Sequence, residues 1–330
     1  MTIVIDAFGG DNAPKAVLLG AYKAKKETDV NIILTGNKNI LCECAKENGV
    51  DLSVFEIADC PYSLSFSDSP EKVIDEGTST SMGLGFRILK VGTADAFLSA
   101  GNTGALFLGG AFYARRMRGV TKAAIGTFVP TLKGQAFVLD SGANILCKPE
   151  DFVNFAKIGT AFLSYNYNKE NPQVFLLNNG IEENKGTALY RQGFEALKKA
   201  ALINFCGNKE GLSIPVDGAD IVVCDGFCGN IFLKTYEGAA KMLLKSLKGI
   251  YSTNTLTKLS VLPVRRHFGE FASSMSASSV GAAPILGLRK PVFKAHGSSD
   301  EKAIENAIKT VVKYVGMNVT EKIGEAFFSM

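Results

Sequence analysis

The sequence predicts an α/β protein: a largely parallel sheet with helices on both faces, three layers in all. Three observations lead there. Short runs rich in Val, Ile, Leu and Phe alternate with longer helical patterns along most of the chain. The runs are almost continuously apolar, which suits strands buried on both faces. Glycine-bearing polar segments follow the runs, as loops do at the carboxyl ends of strands in a wound sheet. No repeat or low-complexity linker interrupts the pattern, so residues 1–330 read as one α/β domain.

In chain order, "TIVIDAF" (2–8) ends in "GGDN" (9–12) and leads into a helical pattern over 13–26. "NIILTG" (31–36) precedes a helix over 38–48, and "LSVFEIAD" (52–59) comes before one over 80–91. "DAFLSA" (95–100) passes through "GNTG" (101–104) into a helix over 103–116. Two runs, "AAIGTFVP" (123–130) and "AFVLDSG" (136–142), stand close together, and "DSGANILCK" (140–148) opens a helix over 150–165. "QVFLLNNG" (173–180) continues as "NNGIEENKG" (178–186) before a helix over 187–201. "DIVVCDG" (220–226) runs through "CDGFCGN" (224–230) into a helix over 230–248. "PVFKAHG" (291–297) and "AHGSS" (295–299) precede the last helical pattern, 299–315. The stretch 249–282 carries the weakest strand signal, so a helical excursion is expected around 240–280.

Composition narrows the chemistry. The net charge of +4 is too small to argue for nucleic acid but suits acidic small molecules or an acidic partner. Seven cysteines with no C-x-x-C, and no leader-like segment at the start, fit reduced thiols in a cytoplasm. Only two histidines, His267 and His296, argue against a His-rich metal site. No apolar stretch is long enough to span a membrane. G-x-x-x-x-G-K-[ST] and G-x-G-x-x-G after a strand are both absent, which argues against the common nucleotide sites.

The strand-end loops therefore carry the functional argument. Six of them combine Gly with Asn, Asp, Ser or Lys, and in a wound sheet such loops converge on a ligand. In "GNTG", Gly101 and Gly104 allow close backbone approach, while Asn102 or Thr103 can cap the next helix and leave its N–H groups for an anion. Asp6, Gly9, Gly10, Asp11 and Asn12 form the first loop. Asp140, Asn144 and Lys148 are in reach of one pocket, and Lys185 lies in the "NNGIEENKG" loop. Asp225 and Asn230 flank a glycine pair, with Lys234 one turn on. Cys228 reads as a small packed residue in preference to a thiolate nucleophile. Lys294, His296 and Ser298 close the set. His267, among arginines and away from any strand end, reads as a surface residue.

Together "IDAFGGDNAP", "SAGNTGAL", "DSGAN..CKPE", "GIEENKG", "CDGFCGN..LK..EG", "GAAPILG" and "KAHGSSD" resemble, in order from about residue 2 to 312, the PlsX family of bacterial phosphate acyltransferases. The chain departs from the family pattern at Ala282, at Cys228 and across 70–82. The resemblance implies a fold similar to the isocitrate and isopropylmalate dehydrogenases and to phosphotransacetylases. It implies transfer of a fatty acyl group from acyl carrier protein to inorganic phosphate, giving acyl phosphate for glycerol-3-phosphate acylation in phospholipid synthesis. It also implies a cytoplasmic homodimer in peripheral contact with the membrane or the downstream acyltransferase, with neither nucleotide nor metal as cofactor. A coenzyme A-dependent phosphotransacetylase is the nearest rival, and a non-catalytic scaffold a more distant one.

For that reaction, residues 101–104 are expected to cradle phosphate, helped by Asn144 and Lys185, with Lys148, Lys234 or Lys294 neutralising charge. His296 is the candidate acid or oxyanion donor. The pattern over 238–251, with Leu243, Leu244, Leu247 and Ile250 beside Lys241, Lys245 and Lys248, is a candidate membrane or carrier-protein face. The stretch 251–275, including "VLPVRRHF", and "ARRMRGVTK" (114–122) are further candidate contacts.

Overall fold

The structure, a computed structural model, describes residues 1–253, 263, 266–267 and 281–329. Its strands are β1 (Thr2–Asp6), β2 (Asn31–Gly36), β3 (Glu56–Asp59), β4 (Ala96–Ser99), β5 (Ala124–Thr131) and β6 (Gly134–Leu139). They continue as β7 (Gln173–Asn178), β8 (Asn204–Glu210), β9 (Ile221–Val223), β10 (Ala283–Leu286) and β11 (Val292–Lys294). All eleven belong to one sheet in the order β3-β2-β1-β4-β11-β10-β5-β6-β9-β7-β8. The expected α/β class and largely parallel sheet are present. Helices start where the sequence offers a cap: Asn37, Thr80, Asn102, Asp225 and Asp300 each accept a first-turn backbone N–H.

Two strands depart from the expected set. β8 was not foreseen: "NFCGNKE" lacks a continuous apolar run because it pairs only with β7, at the edge of the sheet. β10, four residues with Pro284 inside, was too short to show a period. It pairs antiparallel with both β11 and β5, and β5 pairs antiparallel with β6, whereas the remaining pairings are parallel. The sheet is therefore two parallel blocks of opposite sense, joined through β10 and β5.

Register brings the carboxyl ends of the two blocks together. Ala283 pairs with Lys294, Ile285 with Ile125, and Gly126 with Leu139. The last residues of β11 and β6 thus stop close to one level although their strands run oppositely.

Side-chain alternation then divides the core. Ile3, Ile5, Leu98, Phe293, Phe137, Leu139, Ile221 and Val223 belong to one continuous apolar cluster on one face, packed beneath the helices Lys15–Glu27, Pro149–Tyr167 and Glu301–Gly316. The other face carries two separate clusters. One contains Val4, Phe97, Ile125 and Val292 under the helix Ser81–Val91; the other contains Val129, Val138 and Val222 under the start of the helix Gly226–Tyr251. The expected helical excursion falls mostly outside the described residues; that last helix covers its beginning.

Candidate active site

Between the two clusters on the divided face lies a cavity of about 320 Å³. Its floor is the divided face itself: Ile125, Thr127 and Val129 from β5, Ala283 from β10 and Lys294 from β11. Alternate residues of a strand share a face, which is why these three β5 positions line it in steps of two. The loop after β6 adds Ser141 and Gly142, the loop after β11 adds His296 and Gly297, and Thr103 enters from the turn after β4. The helix Gly226–Tyr251 forms a wall with Asn230, Leu233, Lys234, Tyr236 and Glu237.

That helix can lie so low because Gly229 has no side chain. A Cβ there would stand 2.0 Å from the Asp140 carbonyl oxygen, so any other residue would lift the helix off the "DSGAN" turn. Asp225 fixes its first turn, accepting from the N–H groups of Phe227 and Cys228 at 2.9 Å each and from the Tyr190 hydroxyl at 2.6 Å.

Four side chains form a connected polar group in the cavity wall. The Lys234 ammonium donates to Glu237 Oε2 at 2.9 Å and stands 3.3 Å from His296 Nε2, which is 3.7 Å from the same carboxylate oxygen. On its other side, His296 Nδ1 accepts from the Ser298 N–H at 3.3 Å and lies 2.9 Å from the Ser298 hydroxyl. An accepting Nδ1 places the neutral ring's proton on Nε2, the nitrogen at the cavity. Burial alone would raise the Glu237 carboxyl, but hydrogen bonds from His296 and Lys234 outweigh it and hold the group at about 2. Among the described residues no carboxylate contacts Lys294: its ammonium donates to the carbonyls of Ala100, at 3.2 Å, and Ala295, at 2.6 Å. Burial, then the charge of Lys234, pushes it down to about 8, against the opposing pull of Asp6 and Asp11.

Several expected residues support the cavity from behind. The Ser99 hydroxyl donates to buried Asp6 at 2.7 Å and accepts from the Gly101 N–H at 2.9 Å. Burial raises the Asp6 carboxyl. Gly9 fits against this pair, since a Cβ there would be 2.7 Å from both Asp6 Oδ2 and the Gly101 nitrogen. The Asp11 N–H donates to the Gly297 carbonyl at 2.8 Å, and the Asn12 amide donates to the carbonyls of Ser298 and Ser299. Gly10, between Gly9 and Asp11, has φ +106°. Asp140 is buried and accepts from the N–H groups of Ile125, Gly142, Ala143 and Asn144, shaping the turn that presents Ser141. The Asn144 amide is taken up by the Ala123 carbonyl and Asp140.

Asn102 is likewise occupied. Its side-chain oxygen accepts the Ala105 N–H at 3.0 Å, and its amide donates to the carbonyls of Ser65, Phe66 and Asp68. It thereby holds a loop whose Phe66 lines the cavity. Gly104 packs against Pro70 of the same segment.

Lys148 and Lys185 do not line the cavity. Lys148 immediately precedes the helix Pro149–Tyr167, its N–H donating to Asp151, and Lys185 stands 3.9 Å from Glu182 in the loop after β7. Cys228 is half-buried and burial raises its thiol, as a packed residue requires. His267 is exposed. Sequence reasoning missed Glu237, Ser141, Thr127, Phe66 and Tyr236 as site residues. Only Glu237 left a signal, three residues after Lys234 on one helix face.

The chain matches the family described as "Fatty acid synthesis protein" over residues 1–322. It is 38% identical to the phosphate acyltransferase of Acetivibrio thermocellus, covering 100% of this chain and 97% of that one. It is 41% identical to the phosphate acyltransferase of Thermotoga petrophila, covering 97% and 93%. The chain belongs to this family of phosphate acyltransferases. Its fold is similar to that of a phosphotransacetylase from Streptococcus pyogenes, with TM-score 0.64 at 14% identity over 98% of this chain and 94% of the other. It is also similar to a putative 4-hydroxythreonine-4-phosphate dehydrogenase from Salmonella typhimurium, with TM-score 0.53 at 13% identity over 94% and 98%. These likenesses match the fold kinship expected from the sequence. The enzyme family implies phosphate and an acyl donor as substrates, and no helix among the described residues is long and apolar enough to cross a membrane.

Proposed function

We propose that this phosphate acyltransferase moves a fatty acyl group from the thioester of acyl carrier protein to inorganic phosphate, within the cavity on the divided face. The observation that carries this reading is the meeting of two chemistries in one space. Lys234, Lys294, His296, Asn230 and Thr103 offer cations and donors, while Ile125, Val129, Leu233 and Tyr236 offer an apolar wall.

A phosphate oxygen attacks the thioester carbonyl, forming C–O as C–S breaks, and the bonding pair leaves on sulfur. Lys234 and Lys294 hold the phosphate, with the N–H groups of Thr103 and Gly104 at the β4 end as further donors. Asn230 or the Nε2–H of His296 stabilises the oxyanion, and the departing thiolate takes its proton from solvent water. An ordinary thiol has a pKa of about 8.5, so that proton transfer contributes less than charge placement. Ser298 orients His296. Asp6, the 9–12 loop, Asp140, Asn144 and Asp225 act as supports. This reading assigns no step to Lys148 or Lys185.

The same reading includes a cytoplasmic homodimer that touches the membrane or the downstream glycerol-3-phosphate acyltransferase peripherally. Exposed Met242, Leu243 and Ile250 alternate with Lys241, Lys245 and Lys248 at the end of the helix Gly226–Tyr251, which supports such a surface. Most of 251–275 lies outside the described residues. For the acidic carrier protein, Arg115, Arg116, Arg118 and Lys122 are the cations of the second candidate patch. Arg289 joins them, its Nε donating to the Arg116 carbonyl at 2.9 Å.

The deciding assay supplies phosphate with either an acyl carrier protein thioester or a coenzyme A thioester and follows acyl phosphate. The carrier-protein donor is expected to be preferred, with Lys234→Ala lowering kcat by about 10²-fold. Preference for coenzyme A would replace the donor assignment. An unchanged rate in folded Lys234→Ala would remove the reaction from this cavity.

A further inference from the structure

The proposed reaction gives Glu237 no step, yet among the described residues it is the one carboxylate that lines the cavity. A pocket that holds an anion by charge alone gains nothing from a negative group, which repels its ligand. As a partner for Lys234 the carboxylate needs a single oxygen, and a single oxygen is what it uses. Lys234 donates to Oε2 at 2.9 Å, and His296 Nε2 stands 3.7 Å from that same atom. Oε1 accepts no hydrogen bond from any described residue. The side chain is 18% exposed against 54% for Lys234, so a mostly covered carboxylate keeps one acceptor oxygen unused beside the cavity. The group is held at about 2, so near neutral pH it stays ionised and only accepts. Lys234 carries three donor hydrogens and gives one to Glu237; an anion that takes another lies next to the carboxylate.

We infer that Glu237 selects the attacking anion: its carboxylate accepts the hydrogen of a phosphate P–OH while Lys234 and Lys294 hold the charge. The inference rests on the proposed placement of phosphate in this cavity. Near neutral pH inorganic phosphate keeps a proton in both its dianion and its monoanion. Sulfate has the same tetrahedral shape and the charge of the phosphate dianion, but no proton. Two lysines alone therefore do not tell the two anions apart. An ionised acceptor does: a P–OH meets it as a charge-assisted hydrogen bond, whereas a sulfate oxygen meets it as like charge against like charge. A site built to bond a substrate hydroxyl rejects the analogue without it far more strongly than a site that sorts by size.

The test titrates inorganic phosphate, arsenate and sulfate into the whole protein by calorimetry, for the wild type and Glu237→Gln. Arsenate is the control because, like phosphate, it keeps an O–H. The wild type is expected to bind phosphate and arsenate within a few-fold of each other and sulfate about 10²-fold more weakly. Glu237→Gln keeps the size, loses the charge and offers sulfate an N–H, so its phosphate-to-sulfate affinity ratio is expected to fall by at least about tenfold. A carboxylate that only steadied Lys234 would instead weaken all three anions alike on removal, and an unchanged ratio overturns the inference. The wild-type series decides without the variant if the latter does not fold: sulfate bound as tightly as phosphate overturns the inference too. Calorimetry needs no turnover, so the failures separate. A protein that shows the preference and its loss in Glu237→Gln, yet makes no acyl phosphate from any donor, overturns the proposed reaction and leaves the anion selection standing. Unchanged phosphate affinity in folded Lys234→Ala moves the anion out of this cavity and overturns both.

Discussion

The two faces of the sheet differ in what their cores do. On one face a single apolar cluster runs from Ile3 through Phe293 and Phe137 to Val223, crossing both parallel blocks without a break. On the other the clusters around Phe97 and Val138 remain separate, and the cavity occupies the gap. The continuous face bears the cohesion of the two blocks, which leaves the divided face free to hold cations, a histidine and water-accessible space at its centre. Reversal of strand sense at β10 and β5 is what opens the gap, since it brings carboxyl ends of both blocks to one place. Substitutions on the two faces should therefore fail in different ways.

The largest effect is expected on the continuous face. Phe137 is fully buried there and stacks near Phe128 and Phe162, with ring centroids 4.8 and 4.7 Å away. Phe137→Ala is expected to destabilise the protein by about 3–5 kcal/mol through lost burial and the cavity left behind. Denaturant unfolding measures it. The remaining folded fraction should keep its KM for phosphate; a large KM change with little loss of stability would show that the faces are not separable in this way.

Asn102→Ala probes the junction between cohesion and site. It removes a helix cap, worth about 1 kcal/mol, and releases the three carbonyls by which the amide holds the Phe66 loop. The expected outcome is a modest fall in the unfolding midpoint together with a several-fold rise in donor KM, larger than the stability loss would suggest. A normal donor KM would remove the Phe66 loop from substrate binding.

Much of this was legible in the sequence because it follows from local rules. β1, β4, β6 and β9 are buried on both faces and read as apolar runs, and the Gly, Asn and Lys residues at strand ends marked Asn230, Lys234, Lys294 and His296. What was not legible depends on contacts across the chain. Asn102 and Asn144 look like free ligands in a one-dimensional text, yet their amides are consumed by the carbonyls of residues 65–68 and by Ala123. Glu237 sits within a helix, away from any strand end; its spacing from Lys234 hints at a pair, and the approach of His296, 59 residues on, places that pair at the cavity. The loop with Lys185 follows β7, which is separated from β6 by β9, so a correct strand-end signal stands about 10 Å to the side.

The subtlest prediction concerns Lys294, whose ammonium meets backbone carbonyls and, among the described residues, no carboxylate. Burial lowers it to about 8, whereas a lysine in the unfolded chain holds its proton to about 10.4. Between those values the unfolded chain binds more protons, so this group makes stability rise with pH across that window. Phosphate reverses the preference: an anion beside the ammonium favours its charged form, so binding takes up a proton once the free enzyme has lost it. The KM for phosphate is therefore expected to be level below about pH 8 and to rise above it, by at most about tenfold per pH unit. Lys294→Arg retains the charge throughout and should keep a lower slope above pH 8, while the titration of phosphate itself affects both enzymes alike. Parallel pH profiles for the two would take the phosphate contact away from Lys294 and leave it to Lys234, which donates to Glu237.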